Sequence, residues 1–273
     1  MISGPKNGSA ALLSTVPLCN LSVSLSSCAA VFLLLFTLSA PAQTPQKNND
    51  LLIAAAADLA GIEQPVTEIF QRITGRKAKF VLGASGMLAR QIEQGAPYDV
   101  FLSANERFVT DLAKSGRLQP DSVRIYAYGR LGLWSRDGAV KRLEQLRDRR
   151  VVHLAIANPA TAPYGAAARQ LLESAGLWSA VEGKVVYGEN VRQALQFAES
   201  GNADAVITAW SLVFERGGIL LPDSGHSPIR QAGAVVAGRP DEAAARRFLD
   251  LLGSEDGQRI LAAHGLALPK SAP

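Results

Sequence analysis

Short apolar runs alternate with amphipathic segments through most of the chain. The first run, residues 51–56, is wholly apolar, which is typical of a strand buried on both faces of a parallel sheet. Apolar residues then recur at helical spacing over residues 62–76, where Gly75 closes the predicted helix. The same reasoning predicts further strands at 77–82, 98–102, 151–157, 185–187, 205–208 and 232–237, and further helices at 88–95, 106–114, 165–175, 191–199, 242–252 and 256–264.

This alternation predicts an α/β fold with mainly parallel sheets. One strand-like run, residues 125–134, is interrupted by two glycines, which favours a bend over a regular central strand. We interpret residues 126–133 within this run, and a second stretch near residues 231–236, as crossings between two α/β lobes. The first lobe then covers residues 51–126 and 234–273, and the second lobe covers residues 127–233.

The N-terminal segment has the features of an export signal. Residues 29–38 form an apolar stretch too short to span a bilayer, and residues 40–42 (Ala-Pro-Ala) are a small-x-small cleavage site. We therefore predict a signal peptide over residues 1–42 and a flexible polar leader over residues 43–50. Both cysteines of the chain lie in the predicted signal peptide, so the mature protein would have no disulfide and no thiol nucleophile.

Composition and charge narrow the possible functions. The chain of 273 residues is 48% hydrophobic and 19% charged, which is ample apolar material for a core and excludes a disordered protein. The 28 basic and 24 acidic residues give a net charge of only +4, so the surface is mixed in sign. Aromatic residues make up 6%, too few for a groove that stacks bases. We expect no nucleic-acid partner.

Signs of enzyme chemistry are weak. Residues 83–87 (Gly-Ala-Ser-Gly-Met) are similar to a nucleophile elbow, but Met87 stands where the elbow requires glycine. None of the three histidines has a carboxylate or nucleophile at a recognised spacing, and His153 is interpreted as a core residue of the predicted strand 151–157. No phosphate-binding loop, dinucleotide motif or histidine-based metal motif is present in the sequence. We predict a binding protein without a cofactor; an exported hydrolase using Ser85 is the alternative from another class.

Turns built from small residues follow the predicted strands and precede helices. They lie at residues 57–58, 83–86, 163–165 and 189–191. Free N–H groups and the positive end of the helix dipole make helix N-termini suitable for anions. In open α/β sheets these turns lie at the carboxyl ends of the strands, where ligands bind. Four such turns divided between two lobes favour a cleft that closes around a small anion.

Several of these segments resemble the periplasmic molybdate-binding proteins of ABC transporters. The resemblance lies in residues 55–59 (Ala-Ala-Ala-Asp-Leu), 83–97 (Gly-Ala-Ser-Gly-Met-Leu-Ala-Arg-Gln-Ile-Glu-Gln-Gly-Ala-Pro), 99–104 (Asp-Val-Phe-Leu-Ser-Ala), 158–165 and 190–195 (Asn-Val-Arg-Gln-Ala-Leu). It implies a two-lobed periplasmic binding fold of type II, with an oxyanion held in the cleft by uncharged donors. It further implies a monomer in the periplasm that delivers molybdate, or tungstate, to a membrane permease.

The resemblance also implies which residues contact the anion. The family's serine hydroxyl and amide in the second turn correspond to Ser85, and its two backbone amides in the second lobe correspond to Tyr164 and Val191. Two positions depart from the family pattern. Asp58 stands where the family has a serine, and Thr208 stands where it has a tyrosine.

Asp58 is the more informative departure, because an ionised carboxylate only accepts hydrogen bonds and repels a dianion. Three interpretations remain open. Asp58 caps the following turn and offers only its backbone N–H, or it accepts the proton of a protonated, phosphate-like anion, or it fills part of the site and weakens binding. A sensor domain that contacts a receptor instead of a permease is a further alternative.

Overall fold

Two five-stranded sheets organise residues 50–269, the part of the chain that the computed structural model describes. The first sheet contains β1 (Leu51–Ala56), β2 (Ala78–Gly83), β3 (Val100–Ser103), β4 (Arg124–Gly129) and β10 (Ile229–Val235), in the order β2-β1-β3-β10-β4. The second sheet contains β5 (Leu131–Trp134), β6 (Leu154–Ala157), β7 (Val185–Gly188), β8 (Ala205–Ala209) and β9 (Ile219–Leu220), in the order β7-β6-β8-β5-β9.

Helices connect and cover these strands. They are α1 (Glu63–Thr74), α2 (Ser85–Glu93), α3 (Glu106–Lys114), α4 (Pro163–Ser174), α5 (Trp178–Val181), α6 (Val191–Glu199), α7 (Trp210–Val213), α8 (Glu242–Gly253) and α9 (Glu255–Ala263). Short 3-10 helices lie at Ala57–Leu59, Pro120–Ser122, Leu143–Arg147, Glu182–Lys184 and Phe214–Arg216. The predicted α/β fold with two lobes is confirmed.

The strand directions correct one detail of the prediction, because the sheets are mixed and not mainly parallel. In the first sheet β1 runs parallel to β2 and β3, whereas β10 is antiparallel to β3 and β4. In the second sheet β6 runs parallel to β7 and β8, whereas β5 is antiparallel to β8 and β9. The strands that pass between the lobes need no helical crossover, so they can join each sheet in the antiparallel direction.

The chain crosses between the two lobes at two places. β4 ends at Gly129 and β5 begins at Leu131, so Arg130 alone joins the sheets on the outward path. The chain returns between β9 and β10, over residues 221–228. The boundaries expected from the sequence, after residues 126 and 233, fall inside β4 and β10.

Each lobe has a hydrophobic core, and one core continues across the cleft. The edge-to-face pair of Phe70 and Phe248, with ring centroids 5.5 Å apart, lies in the core of the first lobe. Small first-lobe residues such as Ala57 and Ala84 belong to the same buried cluster as second-lobe residues such as Tyr164. The lobes are therefore packed against each other in a closed arrangement.

Some expectations need correction or fall outside the described residues. His153 is exposed and precedes β6, so it is not the core residue that we expected. The predicted signal peptide, residues 1–42, and nearly all of the predicted leader lie outside residues 50–269. Within residues 50–269, every helix is too short or too polar to cross a membrane.

Candidate functional site

Four of the turns that follow β1, β2, β6 and β7 converge on one small cavity between the lobes. The cavity has a volume of about 10 Å³, roughly the room that one water molecule requires. It is lined by Ala56, Ala57, Asp58, Gly83, Ala84, Ser85, Ala104, Ala162, Pro163, Tyr164, Asn190 and Val191. Most of these side chains are small, so the backbone itself forms much of the wall.

Asp58 lies at the centre of this wall and is only 1% exposed. It is the middle residue of the 3-10 helix that follows β1, whose N-cap position is occupied by Ala56. Instead, Oδ2 accepts a hydrogen bond from the Tyr164 hydroxyl at 2.9 Å and another from Nε2 of Gln231. The capping interpretation of Asp58 is therefore wrong, because this side chain points to partners far away in the sequence.

The bonds to Asp58 are part of a buried network that joins both lobes. Tyr164 lies in the second lobe, whereas Asp58, Gln231 and Tyr126 lie in the first. The Tyr126 hydroxyl donates to Oε1 of Gln231 at 2.8 Å, and Nε2 of Gln231 also donates to the Tyr164 oxygen at 3.1 Å. Oδ2 of Asp58 accepts two of these bonds directly, and the Tyr126 hydroxyl is linked to it through the Gln231 amide. These hydrogen bonds stabilise the ionised carboxylate and so oppose the effect of burial on its pKa.

Close packing at Gly129 allows Tyr164 to reach across the cleft. A Cβ atom at position 129 would lie 2.2 Å from the Tyr164 hydroxyl oxygen, which is far inside contact distance. Only glycine, which has no Cβ, leaves room for that hydroxyl at the end of β4. Gly129 is one of the two glycines that predict a bend in this strand, and it also makes room for Tyr164 at the site.

The other oxygen of Asp58 differs from Oδ2. Among residues 50–269 it has no hydrogen-bond partner, although it is buried. Burial raises the pKa of Asp58 from 3.8 to about 6, and the hydrogen bonds from Tyr164 and Gln231 hold it from rising further. Burial, together with the charge of Asp58, also raises the pKa of Tyr126 and Tyr164 well above the usual value, so both remain donors. Asp58 can thus change its charge near neutral pH while its neighbours do not.

Ser85 presents a hydroxyl and an amide to the cavity. It is the first residue of α2, so its N–H has no partner within the helix. Its Oγ accepts a hydrogen bond from the Ala104 amide at 3.0 Å. Since a hydroxyl also carries one donor hydrogen, Ser85 can donate to an anion while Oγ stays fixed by Ala104.

Tyr164 and Val191 supply backbone donors from the second lobe. Pro163 opens α4 and has no N–H, so Tyr164 carries the first free amide of that helix. At the start of α6 the Asn190 side chain accepts from the amides of Arg192 and Gln193. The Val191 amide also lies in the first turn of α6, but it does not donate to the Asn190 side chain.

Thr208, by contrast, lies behind the cavity wall. Its Oγ1 donates to the Val191 carbonyl oxygen at 3.0 Å, and it is fully buried in β8. It is not among the residues that line the cavity in the described part of the chain. The structure thus brings together Asp58, Ser85, Tyr164 and Val191 and leaves Thr208 as a support for the start of α6.

Sequence reasoning missed Gln231 and Tyr126. Both are buried, and Gln231 lies in β10 between the exposed Arg230 and the apolar residues 232–235. A polar residue directly before that apolar run is the signal that could have found it, because a buried amide needs partners. Tyr126 has no comparable signal, since a tyrosine in a strand is ordinary.

The cavity is suited to bind an anion through uncharged hydrogen-bond donors, with one exception. None of the residues that line it carries a positive charge, and within residues 50–269 no group of three or more His, Cys, Asp or Glu side chains could hold a metal cation. The exception is Asp58. A carboxylate about 4 Å from an anion costs on the order of 4 kcal/mol per unit of anion charge at an effective dielectric constant near 20. An ionised Asp58 and a bound dianion are therefore a poor combination.

Comparison with known proteins shows the family of the chain. A family model for bacterial extracellular solute-binding proteins matches residues 51–267. Two molybdate-binding proteins named ModA, from Rhodobacter capsulatus and Azotobacter vinelandii, are 32% and 34% identical to this chain, and the alignments cover 81% and 80% of it and 89% and 90% of the relatives. The resemblance identified from the sequence is confirmed.

Solved structures agree with this relationship. The periplasmic molybdate-binding protein of Azotobacter vinelandii matches with a TM-score of 0.74 at 29% identity, over 81% of this chain and 100% of that one. The sulfate-binding protein SubI of Mycobacterium tuberculosis matches with a TM-score of 0.68 over 81% of this chain and 88% of that one, and at 17% identity it shows the fold alone. The chain belongs to the family of bacterial extracellular solute-binding proteins.

Proposed function

We propose that this protein captures molybdate, or the closely similar tungstate, between its two lobes and delivers it to the membrane permease of an ABC importer. The observation that carries the proposal is the convergence of helix N-termini from both lobes on one cavity with no positive charge among its lining residues. The molybdate-binding names of the relatives at 32% and 34% identity support the choice of anion.

In this proposal the anion is held through its oxygens by hydroxyl and amide donors. Ser85 contributes its hydroxyl and amide, and Tyr164 and Val191 contribute amides from the facing lobe. Thr208 acts indirectly, by holding the first turn of α6 through the Val191 carbonyl. Rotation of the lobes about Arg130 would widen the cavity, and closure would bury the anion. Since molybdate and sulfate have the same charge and shape, cavity size would select between them.

Transport also requires export, which the N-terminal segment supplies in this proposal. The apolar stretch at residues 29–38 and the Ala-Pro-Ala sequence at 40–42 support cleavage of a signal peptide. The mature chain would then act as a monomer in the periplasm, without a cofactor and without turnover.

Calorimetric titration of the purified protein tests the proposal. We expect molybdate and tungstate to bind and sulfate to give no heat. Ser85→Ala is expected to weaken molybdate binding by about 10- to 100-fold, because a hydrogen bond to a charged group is lost. Ser115→Ala, at the exposed C-terminal end of α3, is the matched control and keeps wild-type affinity.

Two results would count against this function. If neither molybdate nor tungstate binds, the proposed function is overturned. If Ser85→Ala binds molybdate with the same affinity as the wild type, the anion does not bind in this cavity.

A further inference from the structure

Oδ1 of Asp58 is a buried carboxylate oxygen without a partner in a residue that lines the anion cavity. Its sister atom Oδ2 accepts the hydrogen bonds of Tyr164 and Gln231. A buried polar atom normally has a partner, and among the side chains of residues 50–269 that line this cavity Oδ1 is a buried acceptor without one. A ligand in the cavity is the natural source of that partner.

We propose that capture of a tetrahedral oxyanion takes up one proton, which Oδ1 of Asp58 shares with an oxygen of the anion. This inference rests on the proposed function and deepens it. In this step one carboxylate, one proton from the solvent and one anion combine into one complex, and no covalent bond of the protein or the anion is broken. The proton forms an O–H···O bond, either as Asp58 in its acid form donating to the anion or as a protonated anion donating to the carboxylate. Both descriptions contain the same number of protons.

The surroundings of Asp58 support a single titrating group. Tyr164 of α4 and Tyr126 of β4 face it, and the pKa of each is raised, so both keep their protons through neutral pH. Gln231 of β10 donates to Oδ2, and Ser211 of α7 donates to the backbone oxygen of Asp58 at 2.7 Å; neither titrates.

Charged groups near the same 3-10 helix lie in a different cavity. Arg192 and Glu199 of α6 and His264 after α9 line a wider opening of about 720 Å³ next to Ala57. Arg192 and Glu199 carry opposite charges. His264 is the histidine among the residues that line this opening, and it is therefore the side chain that a test must separate from Asp58.

Asp58 requires little free energy to accept the proton. With a pKa of about 6 the free carboxyl is already protonated in about a tenth of molecules at pH 7. An anion that arrives without a proton can select this fraction, whereas an anion that carries its own proton satisfies Oδ1 directly. The ligand class is thus a tetrahedral oxyanion plus one proton, and fully ionised anions bind more weakly as the pH rises.

The test is calorimetric titration with molybdate between about pH 7 and pH 8.5, where molybdate itself carries no proton. We expect affinity to fall about tenfold per pH unit, because the free carboxyl is ionised above its pKa. Titrations in two buffers with different heats of ionisation are expected to differ by the heat of about one proton per anion near pH 8.

Three variants assign the proton. Asp58→Asn places an N–H donor where the shared proton lies, and its molybdate affinity is expected to be independent of pH. His264→Gln and Glu189→Gln, the second an exposed carboxyl next to Asn190, are expected to keep the tenfold slope. If Asp58→Asn fails to fold, the two-buffer comparison on the wild type and on His264→Gln still decides.

The outcomes separate this inference from the function on which it rests. Molybdate binding that is independent of both pH and buffer would overturn the proton uptake and leave the transport function standing. A slope that disappears in His264→Gln would overturn the assignment to Asp58. Absence of molybdate binding at every pH would overturn both.

Discussion

Replacement of Gly165 by alanine is expected to lower the free energy of unfolding by about 3 kcal/mol or more, a large fraction of the stability of a typical domain. A Cβ atom at this position would lie 2.0 Å from the Ala157 carbonyl oxygen and 2.7 Å from its carbonyl carbon. Those atoms belong to the backbone at the end of β6, so they cannot turn aside as a flexible side chain would. The first turn of α4, which carries Tyr164, would have to move away from the sheet.

Denaturant unfolding of Gly165→Ala against Gly183→Ala measures this effect. Gly183 lies in a 3-10 helix of the same lobe, and a Cβ there would meet no heavy atom of the described chain within 4 Å. The control is therefore expected to unfold like the wild type. Similar unfolding midpoints for the two variants would show that α4 can shift without cost and that its contact with β6 is not tight.

The unliganded protein is expected to lose stability as the pH rises from about 4 to about 7, because Asp58 is a buried acid. Its folded pKa of about 6 lies above its usual value of 3.8, so the folded state binds the proton more strongly than the unfolded state. Between these values the folded state holds more protons, and stability falls with rising pH. Two pH units at about 1.4 kcal/mol each give a contribution of about 3 kcal/mol, fully lost above pH 6.

Asp58→Asn is expected to remove this contribution to the pH dependence, since an amide does not titrate. The measurement is the free energy of unfolding of wild type and variant at about pH 5 and about pH 8. Glu189→Gln, which removes an exposed carboxyl, is the control and should follow the wild type. An Asp58→Asn variant with the wild-type dependence would mean that Asp58 is ionised at little cost and that its pKa lies near 4.

Local sequence signals predicted the helices best. The sequence predicts α3 and α6 to the residue, and in both the preceding asparagine caps the first turn, Asn105 for α3 and Asn190 for α6. β10 was expected three residues later than it begins. Arg230, paired with Glu106, and the buried Gln231 interrupt its apolar pattern, although both lie in the strand.

Local sequence signals predict only part of the candidate site. The positions of Ser85, Tyr164 and Val191 follow from turn chemistry, since each lies in the first turn of a helix that follows a strand. The bond of Tyr164 to Asp58 joins residues 106 positions apart, and that of Gln231 to Asp58 spans 173 positions. No local pattern contains these pairs, because closure of the two lobes brings them together. The mixed sheets escaped prediction for the same reason, since β10 finds its neighbours only after the chain has returned.

The single-residue link at Arg130 has a consequence for engineering. An inserted residue there would shift β5 by one position against β8 and turn the buried Leu131 and Leu133 to the opposite face of the sheet. The return path is different, because residues 222–227 form a largely exposed loop. A fluorescent reporter inserted in that loop would leave both sheets in register and still lie on a path that must bend whenever the lobes move.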